Sequence, residues 1–195
     1  MKSNPKLLIL LGFFAVFTGF FIYNYIRGTI EYADAVFSMV IILLLFLLSD
    51  WLSMGVRELS LAGLVLVFHN IGATWLYSQN IFFIRYDKIM HFFASFVGVL
   101  LVMGFFEKTL HMKKSEKRLI LFLLSIGIIL ALGVFVEFIE FFGYVLGINS
   151  QGIFSPGNMA IGDTNYIDTI TDLLSNFIGG MIGGFIYHFF KKKLK

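Results

Sequence analysis

Six stretches of near-continuous apolar sequence, at residues 7–26, 33–52, 59–77, 89–106, 119–146 and 167–190, are separated by short polar breaks. A helix needs about 20 mostly apolar residues to cross the hydrocarbon core of a bilayer. Membrane-barrel strands would instead alternate in and out with period two, and these runs do not. The pattern predicts an all-α, polytopic transmembrane helical bundle of six spans, forming a single membrane domain over residues 1–195. The first run is longer than a secretory h-region. It has no small-x-small cleavage site before Arg27, so it too is read as a span. The chain shows no internal repeat, low-complexity tract or domain linker.

Composition agrees with this reading. The 195 residues are 58% hydrophobic and 14% charged, against about 25% charged in a soluble domain. Too few charges remain to coat a water-facing surface, so lipid is the expected solvent and membrane lipids are expected partners. There is no cysteine, which excludes disulfides, thiolate metal sites and a cysteine nucleophile.

The placement of charge sets an orientation. With an even number of spans, both termini share a side. Of the 15 lysines and arginines, only Arg27, Arg85 and Lys88 fall in the segments on the opposite side. The positive-inside rule then puts both termini in the cytoplasm of a prokaryotic cell, in its inner membrane. Trp75, Tyr77, Tyr86, Tyr144 and Tyr166 fall at the predicted outer boundary, as an aromatic belt would. Lys191 to Lys195 are read as an anchor to lipid headgroups. Aromatic and basic residues do not interleave as they do in nucleic-acid binders, so no nucleic-acid partner is expected. The longest outer loop, residues 147–165, is rich in Gly, Ser and Asn and holds Pro156-Gly157.

Polar residues interrupt the apolar pattern at three helix ends on the predicted outer face. The fourth run opens with Asp87, Lys88 and His91. The fifth ends with Glu137 and Glu140. The sixth opens with Asp168 and Asp172, with Asn176 four residues further on. Spacings of three and four put side chains on one helix face, so each set is expected to point inward together. At about 1.5 Å of rise per residue, all three sets lie in the outer third of the bilayer. A lone charge in a membrane costs a few kcal/mol or more. Clustered acids therefore need a cation, shared protons or water. Below Asn176, Gly179-Gly180-Met181-Ile182-Gly183-Gly184 is a doubled small-xxx-small pattern. It allows close helix approach, and with it an oligomer contact through the Gly179–Gly184 face.

Plainer roles compete with a functional site. Asp87 and Asp168 are suited to N-terminal capping, Glu140 to an interfacial position, and Glu137, Asp172 and His91 to interhelical hydrogen bonding. His69 and Asn70, midway along the third run, are expected to hydrogen-bond a neighbouring helix. The many phenylalanines are read as lipid-facing packing.

The ordered set Asp87-Lys88-x-x-His91-Phe92, Glu137-x-x-Glu140, Asp168-Thr169-x-x-Asp172, Asn176 and Gly179-Gly180 resembles the VanZ-like and YjdF-like families of polytopic bacterial membrane proteins, over about residues 86–184. The resemblance implies a multi-pass membrane protein, with VanZ linked to glycopeptide resistance. In the VanZ pattern a Gln is common where Glu140 stands, and a Pro-Gly-Arg appears where this chain has Pro156-Gly157-Asn158. The missing arginine removes a partner for an anionic headgroup.

Three functions follow in order. The first is binding of a lipid-linked or envelope ligand, or of a divalent cation, in an envelope-protection or antibiotic-resistance role; Asp87, Lys88, His91, Glu137, Glu140, Asp168, Asp172 and Asn176 would form the site. The second is a metal-dependent hydrolase or transferase acting on lipid. Its Mg²⁺ or Mn²⁺ ligands would be drawn from His91, Glu137, Glu140, Asp168 and Asp172, with His91 and Glu137 as catalytic candidates. The third is a cation- or proton-coupled transporter, which the lack of paired repeats disfavours.

Overall fold

A computed structural model describes residues 4–109, 115–146, 152 and 164–190. Apart from Gly152 and the start of the last helix, the 147–165 loop lies outside the described residues, Pro156-Gly157-Asn158 included. So do residues 191–195 and the side chains of Tyr144 and Tyr166.

The described residues form six helices: α1 (Pro5–Ile26), α2 (Tyr32–Leu47), α3 (Val56–Ile71), α4 (Tyr86–Thr109), α5 (Ser115–Val145) and α6 (Thr164–Phe190). α1, α4, α5 and α6 are long and apolar enough to cross a membrane, and so is α3 together with the turn that continues it to Leu76. Asn4 caps α1 by accepting from the Lys6 amide at 3.0 Å, and Pro5 occupies the first turn. Gly28, at φ +66°, turns the chain toward α2. The second apolar run ends as a helix at Leu47, five residues before the predicted limit. Beyond it Ser49 and Asp50 accept from the Lys6 ammonium at 3.1 and 2.8 Å, so these polar groups serve α1 instead of extending α2. At α3, Glu58 reaches back to the Gly55 amide at 2.9 Å.

α3 continues into a π-helical turn over Gly72–Leu76. A short antiparallel hairpin, β1 (Asn80–Ile81) and β2 (Ile84–Arg85), then leads into α4. Neither the π turn nor the hairpin is visible in the hydrophobic pattern. The hairpin leaves Phe82 and Phe83 almost fully exposed and delivers Arg85 to the start of α4.

Packing divides the bundle into two halves. Leu10, Phe17, Ile42 and Leu59 form a core among α1, α2 and α3. Val99, Met103, Ile126 and Ile129 form another between α4 and α5, with Met181 and Tyr187 of α6 against it. Lipid tails are as apolar as leucine, so helix association in a membrane depends on close packing rather than on transfer from water. The α4–α6 contact is the most extensive, and the glycines explain it. A Cβ at Gly179 would strike the Phe92 carbonyl, and one at Gly183 would lie 2.6 Å from the Phe96 carbonyl. The other stripe, Gly180 and Gly184, faces Val99, Ile126 and Phe122. Both stripes of the Gly179–Gly184 segment are therefore filled within the chain, by α4 and α5.

At one end of the bundle lie Lys6 with Asp50, Lys108 with Ser53 and Glu58, and Tyr187 with Glu107 at 2.8 Å. α1 begins and α6 ends at this end. The carboxylate motifs lie at the other.

Candidate functional site

α4 and α6 both start at the carboxylate end and run parallel, so their polar residues meet rung by rung. The topmost rung is Lys88. Its ammonium donates to Asp168 Oδ1 at 2.6 Å, Asp172 Oδ2 at 2.6 Å and Asp87 Oδ2 at 3.1 Å. One turn lower, His91 Nε2 lies 3.5 Å from Asp172 Oδ1 and 3.6 Å from Asp87 Oδ1. Lower still, the Ser95 hydroxyl donates to Asn176 Oδ1 at 2.7 Å. From Asp168 to Asn176 the ladder descends about 12 Å, by the helical rise.

Neither Asp87 nor Asp168 is an N-terminal cap. α4 starts at Tyr86 and α6 at Thr164, so Asp87 lies in a first turn and Asp168 a full turn inside its helix. Arg85, which sequence reasoning did not single out, donates to Asp168 at 2.8 Å and lies 3.9 Å from Asp87. The expected need for a cation among these acids is thus met in part by two protein cations, Lys88 and Arg85.

Glu137 comes from α5. Glu140, one turn nearer the helix end, lines the cavity described below. Asp87, His91 and Asp172 each offer an atom within 4.8 Å of the others, a spacing that fits a shared metal ion. Asp172 is 2% exposed, yet its Oδ1 has no hydrogen-bond partner; Glu137 Oε1 is likewise buried without one. A buried acceptor left unpaired costs about 1–3 kcal/mol. The cluster is therefore under-satisfied in acceptors, while the three N–H donors of Lys88 are all committed.

A cavity of about 440 Å³ opens from this cluster into the bundle. Its polar end is lined by Asp87, His91, Glu140, Asp168 and Asn176, and its body by apolar side chains such as Phe37, Leu66, Leu101 and Leu132. On α4 the lining runs from Asp87 to Leu101, about 21 Å along the axis. α2, α3, α4 and α5 surround it. Among the described residues α2 packs on α3, α3 on α4 and α4 on α5, but α2 and α5 barely touch, so these helices leave the fourth side of the cavity without a helix–helix contact. Gly152, from the connection between α5 and α6, lies against the Asp34 carboxylate of α2 and closes part of the polar end.

The opposite wall carries a second polar group. Asp34 Oδ1 lies 2.9 Å from His69 Nε2, and His69 Nδ1 is hydrogen-bonded to the Tyr77 hydroxyl. Asn70 donates to Ser38 at 2.7 Å. The expected bonding of His69 and Asn70 to a neighbouring helix is what is found. Asp34 and Tyr77 were not read as partners, because they are 35 and 8 residues from His69 and no local spacing joins them.

The decisive comparison is a match of residues 5–193 to the family described as predicted membrane protein (DUF2238). The chain belongs to DUF2238. No curated protein and no solved structure matches it. The DUF2238 match covers all six helices, whereas the motifs singled out in the sequence lie only in the last three. The first half of this DUF2238 chain contributes two walls of the cavity, α2 and α3, which gives the wider match a structural sense.

Proposed function

We propose that the protein holds one amphiphile of the membrane in the cavity between its two halves, with the polar head at the carboxylate cluster and the tail along the apolar walls. The observation that carries this is the cavity itself. Its volume of about 440 Å³ falls within the ordinary range for ligand pockets, about 300–1,000 Å³. It is polar at one end and apolar for the rest of its depth, and among the described residues α2 and α5 barely meet on one side of it.

The charge inventory narrows the head. Asp87, Glu137, Glu140, Asp168 and Asp172 face two fixed cations, Arg85 and Lys88. Among the described residues of this cluster, the buried atoms without a hydrogen-bond partner are Asp172 Oδ1, Glu137 Oε1 and the Asn176 amide nitrogen. A head that brings positive charge, or a divalent cation bridging a lipid-linked head to the carboxylates, complements this end. An envelope-protection role, of the kind the resemblance to VanZ-like proteins implies, accords with such a ligand. So does an orientation with the cluster at the outer leaflet and both termini in the cytoplasm of a prokaryotic inner membrane.

Native mass spectrometry of the full chain, released from mild detergent, tests the reading. One amphiphile per protein is expected to survive delipidation. Ala94→Phe, which fills the cavity wall from α4, is expected to abolish the adduct without lowering the melting temperature. Wild type that carries no adduct after re-incubation with membrane lipid extract overturns the proposal.

The convergence of Asp87, His91 and Asp172 within 4.8 Å favours a second reading, a divalent metal centre for lipid hydrolysis or transfer. Those three side chains would hold the ion, with Lys88 displaced from among them and Glu137 as an adjacent base. A melting temperature raised by Mn²⁺ in wild type and unmoved in Asp172→Asn supports it. No Mn²⁺ effect, together with no product from a lipid panel, removes it.

A further inference from the structure

The Asp34–His69–Tyr77 group stands apart from the carboxylate ladder, and its geometry has a direction. A carboxylate oxygen only accepts, so the proton at the Asp34 contact belongs to His69 Nε2. In the neutral imidazole His69 Nδ1 is then the bare nitrogen, and it accepts from the Tyr77 hydroxyl. With its hydrogen committed to the imidazole, the Tyr77 oxygen has only lone pairs left to offer. Both His69 and Tyr77 line the cavity.

The backbone is shaped to make this contact. In a regular α-helix, eight residues turn the chain about 80° past the starting face. The π turn over Gly72–Leu76 widens the helix by one residue. Tyr77 is thereby placed as a seventh residue would be, about 20° from the His69 direction. The Tyr86 hydroxyl donates to the Phe68 carbonyl at 2.9 Å beside the turn. Gly72 is held between rings there: a Cβ would lie 2.7 Å from Tyr86 and 2.8 Å from Tyr77. Interhelical adhesion alone would need only the Asp34–His69 bond, which already joins α2 to α3.

We propose that the Tyr77 oxygen, aligned by His69 and Asp34, is the acceptor on the far wall of the cavity for an N–H donor of the ligand head, and so selects a protonated primary amine over a quaternary ammonium. This rests on the amphiphile reading. The carboxylates of α4, α5 and α6 attract either cation; a quaternary head carries the charge but no N–H to give Tyr77. The ligand class is a single-tailed or lipid amine.

Calorimetric titration of the full chain in dodecyl maltoside with dodecylamine and with dodecyltrimethylammonium, each corrected for titration into empty micelles, tests this. Wild type is expected to prefer dodecylamine. Tyr77→Phe, with its fold checked by thermal melting, is expected to cut that preference about fivefold, the worth of one net hydrogen bond, and to leave dodecyltrimethylammonium binding unchanged. Asp34→Asn keeps the phenol but loses the carboxylate that orders the imidazole, and is expected to reduce the preference in the same direction. A ratio unchanged in Tyr77→Phe overturns the Tyr77 role while leaving the amphiphile reading intact, and so does an equal loss for both probes. Wild type that binds neither probe overturns both.

Discussion

Lys88→Met keeps the length of the side chain and removes its charge. In the wild type that charge is 13% exposed and binds three carboxylates, of which Asp172 is 2% exposed, Asp87 18% and Asp168 24%. Breaking a buried ion pair from one side costs about 3–5 kcal/mol, because the partner stays charged and dry. Water reaches Asp87 and Asp168 in part, and Arg85 still holds Asp168. Most of the loss therefore falls on Asp172, and about 3 kcal/mol is expected. Reversible unfolding of the purified protein in mixed micelles, titrated with dodecyl sulfate, measures it. The cycle with Asp172→Asn isolates the pair: the double variant is expected to recover about 2 kcal/mol relative to the sum of the single changes. Lys88→Met within about 1 kcal/mol of wild type, or additive single changes, would refute the assignment of Lys88 as the compensating cation.

Gly183→Ala is expected to cost about 1–3 kcal/mol by overpacking, since its Cβ would lie 2.6 Å from the Phe96 carbonyl; Gly12→Ala, with nothing within 4 Å, is the control, and both are read by the same titration. The chain has no native cysteine, so orientation is open to direct labelling. A membrane-impermeant maleimide is expected to modify Ser78→Cys in intact cells and Asp50→Cys only after lysis; the reverse pattern inverts the topology. Ser95→Ala is expected to leave Asn176 Oδ1 without its donor and to lower stability by about 1 kcal/mol, with Ser95→Thr restoring most of it in thermal melts.

The six helices were legible because lipid imposes a simple rule, a long unbroken apolar run. Limits failed where local chemistry outranked that rule. α2 stops at Leu47 because Ser49 and Asp50 are taken by Lys6. The Asp168, Asp172 and Asn176 face was readable from its period of four, as was the Asp87 and His91 face. Lys88 was placed in the site from sequence, but its bonding to three aspartates at once was not readable, since it depends on the parallel register of two helices about 80 residues apart. Arg85 reaches Asp168 through a two-residue strand that leaves almost no pattern. The Asp34–His69–Tyr77 group was hidden for a different reason: its alignment depends on a π turn, and the familiar three-and-four spacing does not reveal one.

On the amphiphile reading, the slight contact between α2 and α5 among the described residues determines what competes for the cavity. A guest that slides in sideways comes from a leaflet, where tail-bearing molecules are crowded side by side rather than dilute. Occupancy is then settled by exchange against whichever lipid is most abundant, so a modest preference in the headgroup decides the outcome and great tightness is unnecessary. On the same reading, a cell that altered the make-up of that leaflet would change the resident of this protein with no messenger crossing the aqueous phase.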